Sequence, residues 1–104
     1  MFKLQPNPTF KTKVGISVAG QESPDEIEVE FKYLSKSAVK AFFDGLKGKD
    51  DVDALAEIMV GWSGTDHDFS PEALSELLDN YAAAAADIFW KFRHELLESK
   101  TKNS

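Results

Sequence analysis

Two runs of alternating side chains, separated by a turn-rich segment, constrain this chain more than any other feature. In the first run, apolar or β-branched residues occupy every second position: Phe10, Thr12, Val14, Ile16 and Val18. In the second run, Ile27, Val29, Phe31 and Tyr33 alternate with charged residues. Because successive side chains of a strand point to opposite faces, each run predicts a half-buried strand. The Gly, Ser, Pro and Asp residues between the runs favour turns, so the two strands are predicted to form an antiparallel hairpin.

The polar face of this hairpin carries lysines on the first strand and glutamates on the second. Opposite charges on neighbouring strands stabilise a sheet by roughly 0.2–1 kcal/mol per pair. The connection is too long to define a turn type, so the sequence leaves the register of pairing open. An isolated hairpin is marginal in water, and its apolar face therefore needs a covering layer.

The segment after the hairpin supplies that layer as helices. Ser35 is a good N-cap, apolar residues follow at helical spacing as far as Leu46, and Gly48 is placed for a left-handed residue at the helix end. Aspartates at 50, 51 and 53 suit the positive end of a second helix dipole. The apolar stripe predicted for this second helix is Val52, Leu55, Ile58, Met59 and Trp62.

Two further helices are predicted near the end of the chain. Ser70 caps the third, with Pro71 at its first position, where the missing N–H costs nothing. Its buried residues are predicted to be Leu74, Leu77 and Leu78. The fourth helix runs from Tyr81 or Ala82 to Glu98. At Asp79-Asn80 two alternatives are open, a break between the helices or one continuous helix with a bend.

These elements predict an α+β fold in which an N-terminal antiparallel β-hairpin packs on a bundle of three to four α-helices. A length of 104 residues predicts a single domain over 1–104, with a hairpin at 9–34, a helical part at 35–98 and a flexible tail at 99–104. The formal net charge of -6 disfavours nonspecific binding to nucleic acid or to an anionic membrane surface. No apolar run approaches a membrane span, and the N-terminus predicts no signal peptide.

The residues that could carry catalytic or metal chemistry are few and scattered. There is no cysteine, which removes disulfides, thiolate zinc sites and thiol nucleophiles, and is compatible with a reducing compartment. Asp66-His67-Asp68 is the one cluster with metal-ligand residue types, but adjacent residues in a loop point in different directions, which favours a solvated loop. His94 is predicted to be a surface residue, and the row of Glu26, Glu28 and Glu30 is predicted to lie on the solvent-exposed face of a strand. We therefore predict no catalytic residue, no metal, no cofactor and no enzyme.

The last helix is the segment most informative about function. At about 100° per residue, its core stripe gathers on one arc. That stripe consists of Tyr81, Ala85, Ile88, Phe89, Phe92 and Leu96. Trp90 and Leu97 fall on the opposite side, with Ala83 and Ala86 beside them, so the helix is apolar on two faces. Either Trp90 packs against the hairpin or the N-terminal segment, or this second face is an interaction site.

The second alternative leads to a set of candidate partner-binding residues. A short alanine run lets another helix approach closely, and Trp62 is predicted to lie in a nearby loop region. The surface predicted to bind a partner or a second copy consists of Trp62, Ala83, Ala86, Trp90 and Leu97.

The order of these segments resembles the phage tail assembly chaperones over about residues 9 to 98. The resemblance depends on a hairpin, a short helix, an acidic helix start, a Gly-Trp pair, a loop and an Asn-Tyr pair opening a long helix. The segments that carry it are Glu30–Ser35, Ala41–Phe43, Asp51–Leu55, Val60–Trp62, Phe69-Ser70, Leu74 and Leu77–Tyr81. Relatives usually have Pro directly after Asn-Tyr, whereas this chain has Ala82, so it lacks the proline that would break the third helix from the fourth.

The resemblance implies a non-enzymatic assembly factor of a long-tailed phage or prophage. Such proteins bind the tape measure protein, a long and largely helical chain, keep it soluble, and help recruit tail tube protein around it. It further implies a location in the host bacterial cytoplasm and absence from the mature virion. The competing hypotheses are a structural tail component or host interaction module of prophage origin, and a small enzyme.

Overall fold

The computed structural model describes residues 1–98. Within them the strands are β1 (Thr9–Ile16), β2 (Asp25–Lys32) and β3 (Met59–Ser63), and the helices are α1 (Lys36–Asp44), α2 (Asp51–Ile58), α3 (Pro71–Asn80) and α4 (Ala84–Leu97). The strands form one antiparallel sheet in the order β1-β2-β3. The α+β class with an N-terminal hairpin and a helical layer is confirmed. The tail predicted at 99–104 lies outside the described residues.

The hairpin forms where alternation predicted it, and the structure supplies its register. Val14 pairs with Ile27 and Phe10 with Phe31, which aligns the apolar residues of both strands on one face. The same register sets Lys13 opposite Glu28 on the polar face, as the charge pattern favours. Val14, Val29 and Phe31 are fully buried, so the apolar face is the floor of the core.

The helix predicted to continue through Trp62 is wrong. α2 ends at Ile58, and the chain then enters β3, which pairs with β2. Phe31 faces Met59 and Val29 faces Trp62, so two steps along β2 lie opposite three steps along β3, with an irregularity between Glu30 and Phe31. This bulge places Met59 and Trp62 on the same side of the sheet although they are three residues apart. Residues three positions apart also share one face of a helix, and for this reason Met59 and Trp62 were predicted to belong to the apolar stripe of the second helix.

The predicted cap of α1 forms, and Asp50, predicted only for its charge at the start of the second helix, also caps α2, whereas the end of α1 differs from the prediction. The Ala38 N–H donates to Ser35 Oγ (3.1 Å), and the Val52 N–H donates to Asp50 Oδ2 (3.1 Å). Gly48 does adopt a left-handed conformation with φ 78°, but α1 already ends at Asp44. Gly48 instead serves the turn that leads into α2, so its predicted role as the end of the helix is wrong.

The break between α3 and α4 is sharp in spite of Ala82. Ser70 caps α3 with Pro71 in its first turn, as predicted. At the other end Tyr81 is extended, with φ -123° and ψ 95°, and its N–H donates to the Leu77 carbonyl at 3.0 Å. α4 then begins at Ala84. Of the two alternatives at Asp79-Asn80, the structure therefore shows separate helices, with the break just after Asn80.

α4 covers the apolar face of the sheet. Its residues Ala84, Ile88 and Phe92 have no exposed surface, and the Phe92 ring lies 5.1 Å from that of Phe31. Phe92 belongs to an aromatic cluster that joins the hairpin, α1 and α4: Phe10, Phe31, Phe42, Phe43, Phe89 and Phe92. The six rings connect in one network and form the centre of the core.

Two polar contacts fix the rotation of α4 about its own axis. Thr12 Oγ1 donates to Glu95 Oε1 at 3.0 Å, and the Ser17 N–H donates to Asp87 Oδ2 at 2.8 Å. Both join α4 to β1 or the residue that follows it. With Phe92 pointing into the core, these contacts decide which side of α4 remains in contact with solvent.

Candidate protein-interaction surface

The side of α4 turned away from β1 is exposed and apolar. Trp90 is 61% exposed and Leu97 is 37% exposed. Ala83 and Ala86, one turn apart at the start of the same side, are also exposed. We call these four residues the α4 face. The alternative in which Trp90 packs against the hairpin or the N-terminal segment does not describe this structure, because more than half of the side chain is open to solvent.

Trp90 is held in place by its own helix. Its indole stacks on the His94 imidazole, with ring centroids 4.8 Å apart and planes inclined by 10°. Glu98 lies at the end of this arrangement, 3.3 Å from His94 Nδ1, and accepts a hydrogen bond from Arg93 Nη1 at 3.2 Å. The stacked ring therefore presents its outer face to solvent in an ordered position. His94 therefore supports the exposed indole of Trp90 by stacking on it.

Leu97 also lines a groove between α1 and α4. The groove has a volume of about 970 Å³. Its accessible apolar lining is formed by Phe43, Leu96 and Leu97, with Val39 buried beneath them, and its rim carries Lys36, Lys40, Arg93 and Asp44. We call this the α1–α4 groove. Because Leu97 belongs both to the α4 face and to the groove, the two surfaces are continuous.

The sequence reasoning missed the groove, although part of its signal was present. Lys36, Lys40 and Asp44 follow one another at four-residue spacing, which places them on one side of α1. Arg93 and Leu96 come from α4, and three other elements separate that helix from α1 in the chain, so no local pattern links them to α1. The packing of α1 against α4 brings the two sets together.

Trp62 occupies a different part of the molecule from Leu97. Its ring packs edge-on against Phe69 at 5.1 Å, and its Nε1 donates to the His67 carbonyl at 2.8 Å. It lines a smaller cavity of about 230 Å³ together with Tyr81, whereas Leu97 lines the α1–α4 groove. Of the five residues predicted to bind a partner, four share the α4 face and Trp62 lies half-buried beside another cavity. Their role in binding stays a prediction.

Asp66 and His67 form an exposed ion pair in the loop after β3. Asp66 Oδ1 lies 2.9 Å from His67 Nδ1. The hydrogen bond that the His67 ring donates to this carboxylate, and then the charge of the carboxylate, raise the pKa of His67, while the same contacts lower the pKa of Asp66. Within residues 1–98, no three acidic or histidine side chains meet in an arrangement that could hold a metal ion.

The glutamate row of β2 lies on the polar side of the sheet. Glu28 and Glu30 stand opposite Lys13 and Lys11, and Glu30 Oε2 accepts a hydrogen bond from Thr9 Oγ1 at 2.8 Å. In the part of the chain that the structure describes, no helix is long and apolar enough to cross a membrane. The exposed apolar surface of α4 and the groove that adjoins it are therefore the candidate protein-interaction surface.

A family model described as phage tail assembly chaperone matches residues 1–103. No match to the chain was found among curated proteins or among solved structures.

Proposed function

This chain belongs to the phage tail assembly chaperone family, and we propose that it binds the tape measure protein, keeps that protein soluble and aids assembly of the tail tube around it. The family gives a chaperone role and an association with tail proteins. The identity of the bound protein and the surface that binds it are our proposal.

The exposed indole of Trp90 is the observation that carries this proposal. An aromatic side chain buries a large apolar area when a partner covers it, and ordered aromatic residues are typical centres of binding energy at interfaces. Burial of apolar surface contributes roughly 25 cal/mol per Å² before the costs of association are subtracted. Because Ala83 and Ala86 have short side chains, a helix of the tape measure protein can lie close to α4 beside this ring.

The charge of the chain suits a protein that accompanies an apolar client. A net charge of -6 keeps complexes apart from one another and so favours solubility. We propose that the protein acts by binding alone, without catalysis, in the cytoplasm of the bacterial host, and that it leaves before the tail is complete. The tail tube protein is the second proposed partner.

Co-expression tests the proposal directly. The tape measure protein of the same phage, or its fragments, should be recovered in the soluble fraction and co-purify with this chain, and should precipitate without it. A tape measure protein that is equally soluble alone, or that does not co-purify, would contradict the proposed function. Mass spectrometry of purified virions separates the chaperone from a structural tail component, because a chaperone should be missing from the particle.

A further inference from the structure

The charges around the α1–α4 groove differ in sign from those of the whole chain. The protein has 12 basic and 18 acidic residues, yet the groove is rimmed by Lys36, Lys40 and Arg93 against the single carboxylate of Asp44. A local excess of positive charge on an acidic protein is a departure from its average surface. It favours a ligand that brings carboxylates to this groove.

The charges of α1 do not serve the helix itself. Lys36 is its first residue and Asp44 its last, so each lies at the end where the helix dipole disfavours its charge. Lys36 and Lys40 are also like charges at i and i+4, an arrangement that mildly destabilises a helix. Two electrostatic effects therefore oppose Lys36, whereas for Lys40 the repulsion from Lys36 is offset by Asp44 four residues later. Neither lysine forms an ion pair within residues 1–98.

Arg93 is paired, but in a way that is easily exchanged. Its Nη1 donates to Glu98 Oε1 at 3.2 Å, and both side chains are about half exposed. Exposed pairs of this kind contribute roughly 0–1 kcal/mol, because water and salt screen them. A carboxylate of a bound partner can replace Glu98 at little cost, and Arg93 then points to the ligand instead of to its own helix.

The shape of the groove favours a helix over a small molecule. Its floor is apolar and its charges stand on long side chains at the rim, which is the general plan of a protein interface. No polar or charged side chain is buried among the described residues, so the groove lacks the fixed interior polar group that orients a small ligand. Two packed helices with an apolar cleft between them suit an amphipathic helix laid along the cleft.

We infer that the α1–α4 groove docks an amphipathic helix whose apolar stripe is flanked by acidic residues, with Lys36, Lys40 and Arg93 receiving those carboxylates. This inference deepens the proposed function and rests on it, since it names the chemical class of tape measure segment that the chain selects. Phe43, Leu96 and Leu97 receive the apolar stripe. Because Leu97 also belongs to the α4 face, the docked helix passes beside Trp90.

Two synthetic peptides test the charge preference without the tape measure protein. Both are about 20 residues long, so that they can form helices in isolation, and share one Leu/Ala stripe. The flanking positions are all Glu in one peptide and all Lys in the other. At about 0.15 M salt, where the net charge of -6 is screened beyond roughly 8 Å, wild-type protein should bind the Glu peptide about tenfold more tightly than the Lys peptide by fluorescence anisotropy. The preference should shrink as salt is added.

Charge-reversal variants locate the site. The double variant Lys36→Glu/Lys40→Glu should lose the preference for the Glu peptide, whereas Lys47→Glu, an exposed position in the turn after α1, should retain it. Methyl resonances of Leu96 and Leu97, the accessible leucines of the groove, should shift when the Glu peptide binds. Equal binding of both peptides to wild type, or an undiminished preference in the double variant, would overturn the inference.

The outcomes separate this inference from the proposed function. If tape measure fragments co-purify while the peptides show no charge preference, the chaperone function stands and the acidic-helix inference falls. If the Glu peptide binds as expected but no tape measure fragment co-purifies, the proposed client is wrong. If sedimentation shows that a second copy occupies the groove in free protein, and the Glu peptide does not displace it, the inference is again overturned.

Discussion

The indole of Trp90 stacks on the imidazole of His94 at a centroid distance of 4.8 Å, on the side of α4 that faces solvent. The two residues are one turn apart, so their contact is local to the helix and does not require a partner. It holds a large apolar ring in a defined orientation while leaving it uncovered. This relationship makes the α4 face a prepared surface, because less side-chain freedom is lost when a partner covers it.

Replacement of Trp90 by a charged residue should separate binding from folding. Trp90→Glu should abolish capture of tape measure fragments, because a carboxylate would lie in the interface without a partner. Stability should change by no more than about 0.5 kcal/mol, since the ring is exposed. Pull-down and circular dichroism measure the two effects. Phe2→Glu, at an exposed aromatic position before β1, is the matched control and should leave capture intact. Normal capture by Trp90→Glu would show that the α4 face is not the binding surface.

Removal of the central ring of the core should be costly. Phe92 is fully buried among four other phenylalanine rings, so Phe92→Ala leaves a cavity that the sheet and α1 cannot close. We expect the free energy of unfolding to fall by about 3–5 kcal/mol in urea titrations. Phe2→Ala, at a position that is 88% exposed, should change it by less than about 0.5 kcal/mol. Similar effects of the two variants would contradict the packing described here.

Two strand glycines should respond oppositely to a methyl group. A Cβ added at Gly15 would lie 2.9 Å from Pro24 Cγ, closer than real contacts allow, whereas a Cβ at Gly61 would meet no atom within 4 Å. Gly15→Ala should therefore destabilise the hairpin by about 1–3 kcal/mol. Gly61→Ala should be neutral or stabilise by about 0.4–1 kcal/mol, because the unfolded chain loses freedom. Urea midpoints at equal slopes measure both, and an equal loss in the two variants would refute the predicted contact.

The Asp66–His67 pair predicts a pH dependence confined to its loop. Asp66 raises the pKa of His67, so the stabilisation through His67 is complete below the ordinary value of 6.5 and is lost as pH rises through the higher folded value. His67 lowers the pKa of Asp66, so that contribution is present above 3.8 and is lost as pH falls through the lower folded value. The pair therefore stabilises the loop fully between the ordinary pKa of Asp66, 3.8, and the ordinary pKa of His67, 6.5.

Proton NMR of the His67 ring measures this effect. The titration midpoint should lie above the ordinary histidine value and should fall in Asp66→Asn. Asp68→Asn should lower it much less, because Asp68 makes the smallest of the contributions to the shift. An unchanged midpoint in Asp66→Asn would mean that the pair does not form in solution.

The elements that could be predicted from sequence are those with local causes. Alternation marked β1 and β2, Ser35, Asp50 and Ser70 marked helix starts, and each signal acts within a few residues. β3 was missed because it is a strand only by pairing with β2, which α1 and α2 separate from it in the chain. Its bulge also places Met59 and Trp62 at a spacing that a helix shares.

The candidate site divides in the same way. The sequence by itself determined that the last helix carries apolar residues on two faces, because composition and the helical period are properties of one segment. Only the tertiary structure decided which face is covered, by tying Asp87 and Glu95 to the β1 side and turning Phe92 into the core. It also assembled the α1–α4 groove from segments far apart in the chain. Burial depends on what packs against a residue, and that is set by contacts between elements.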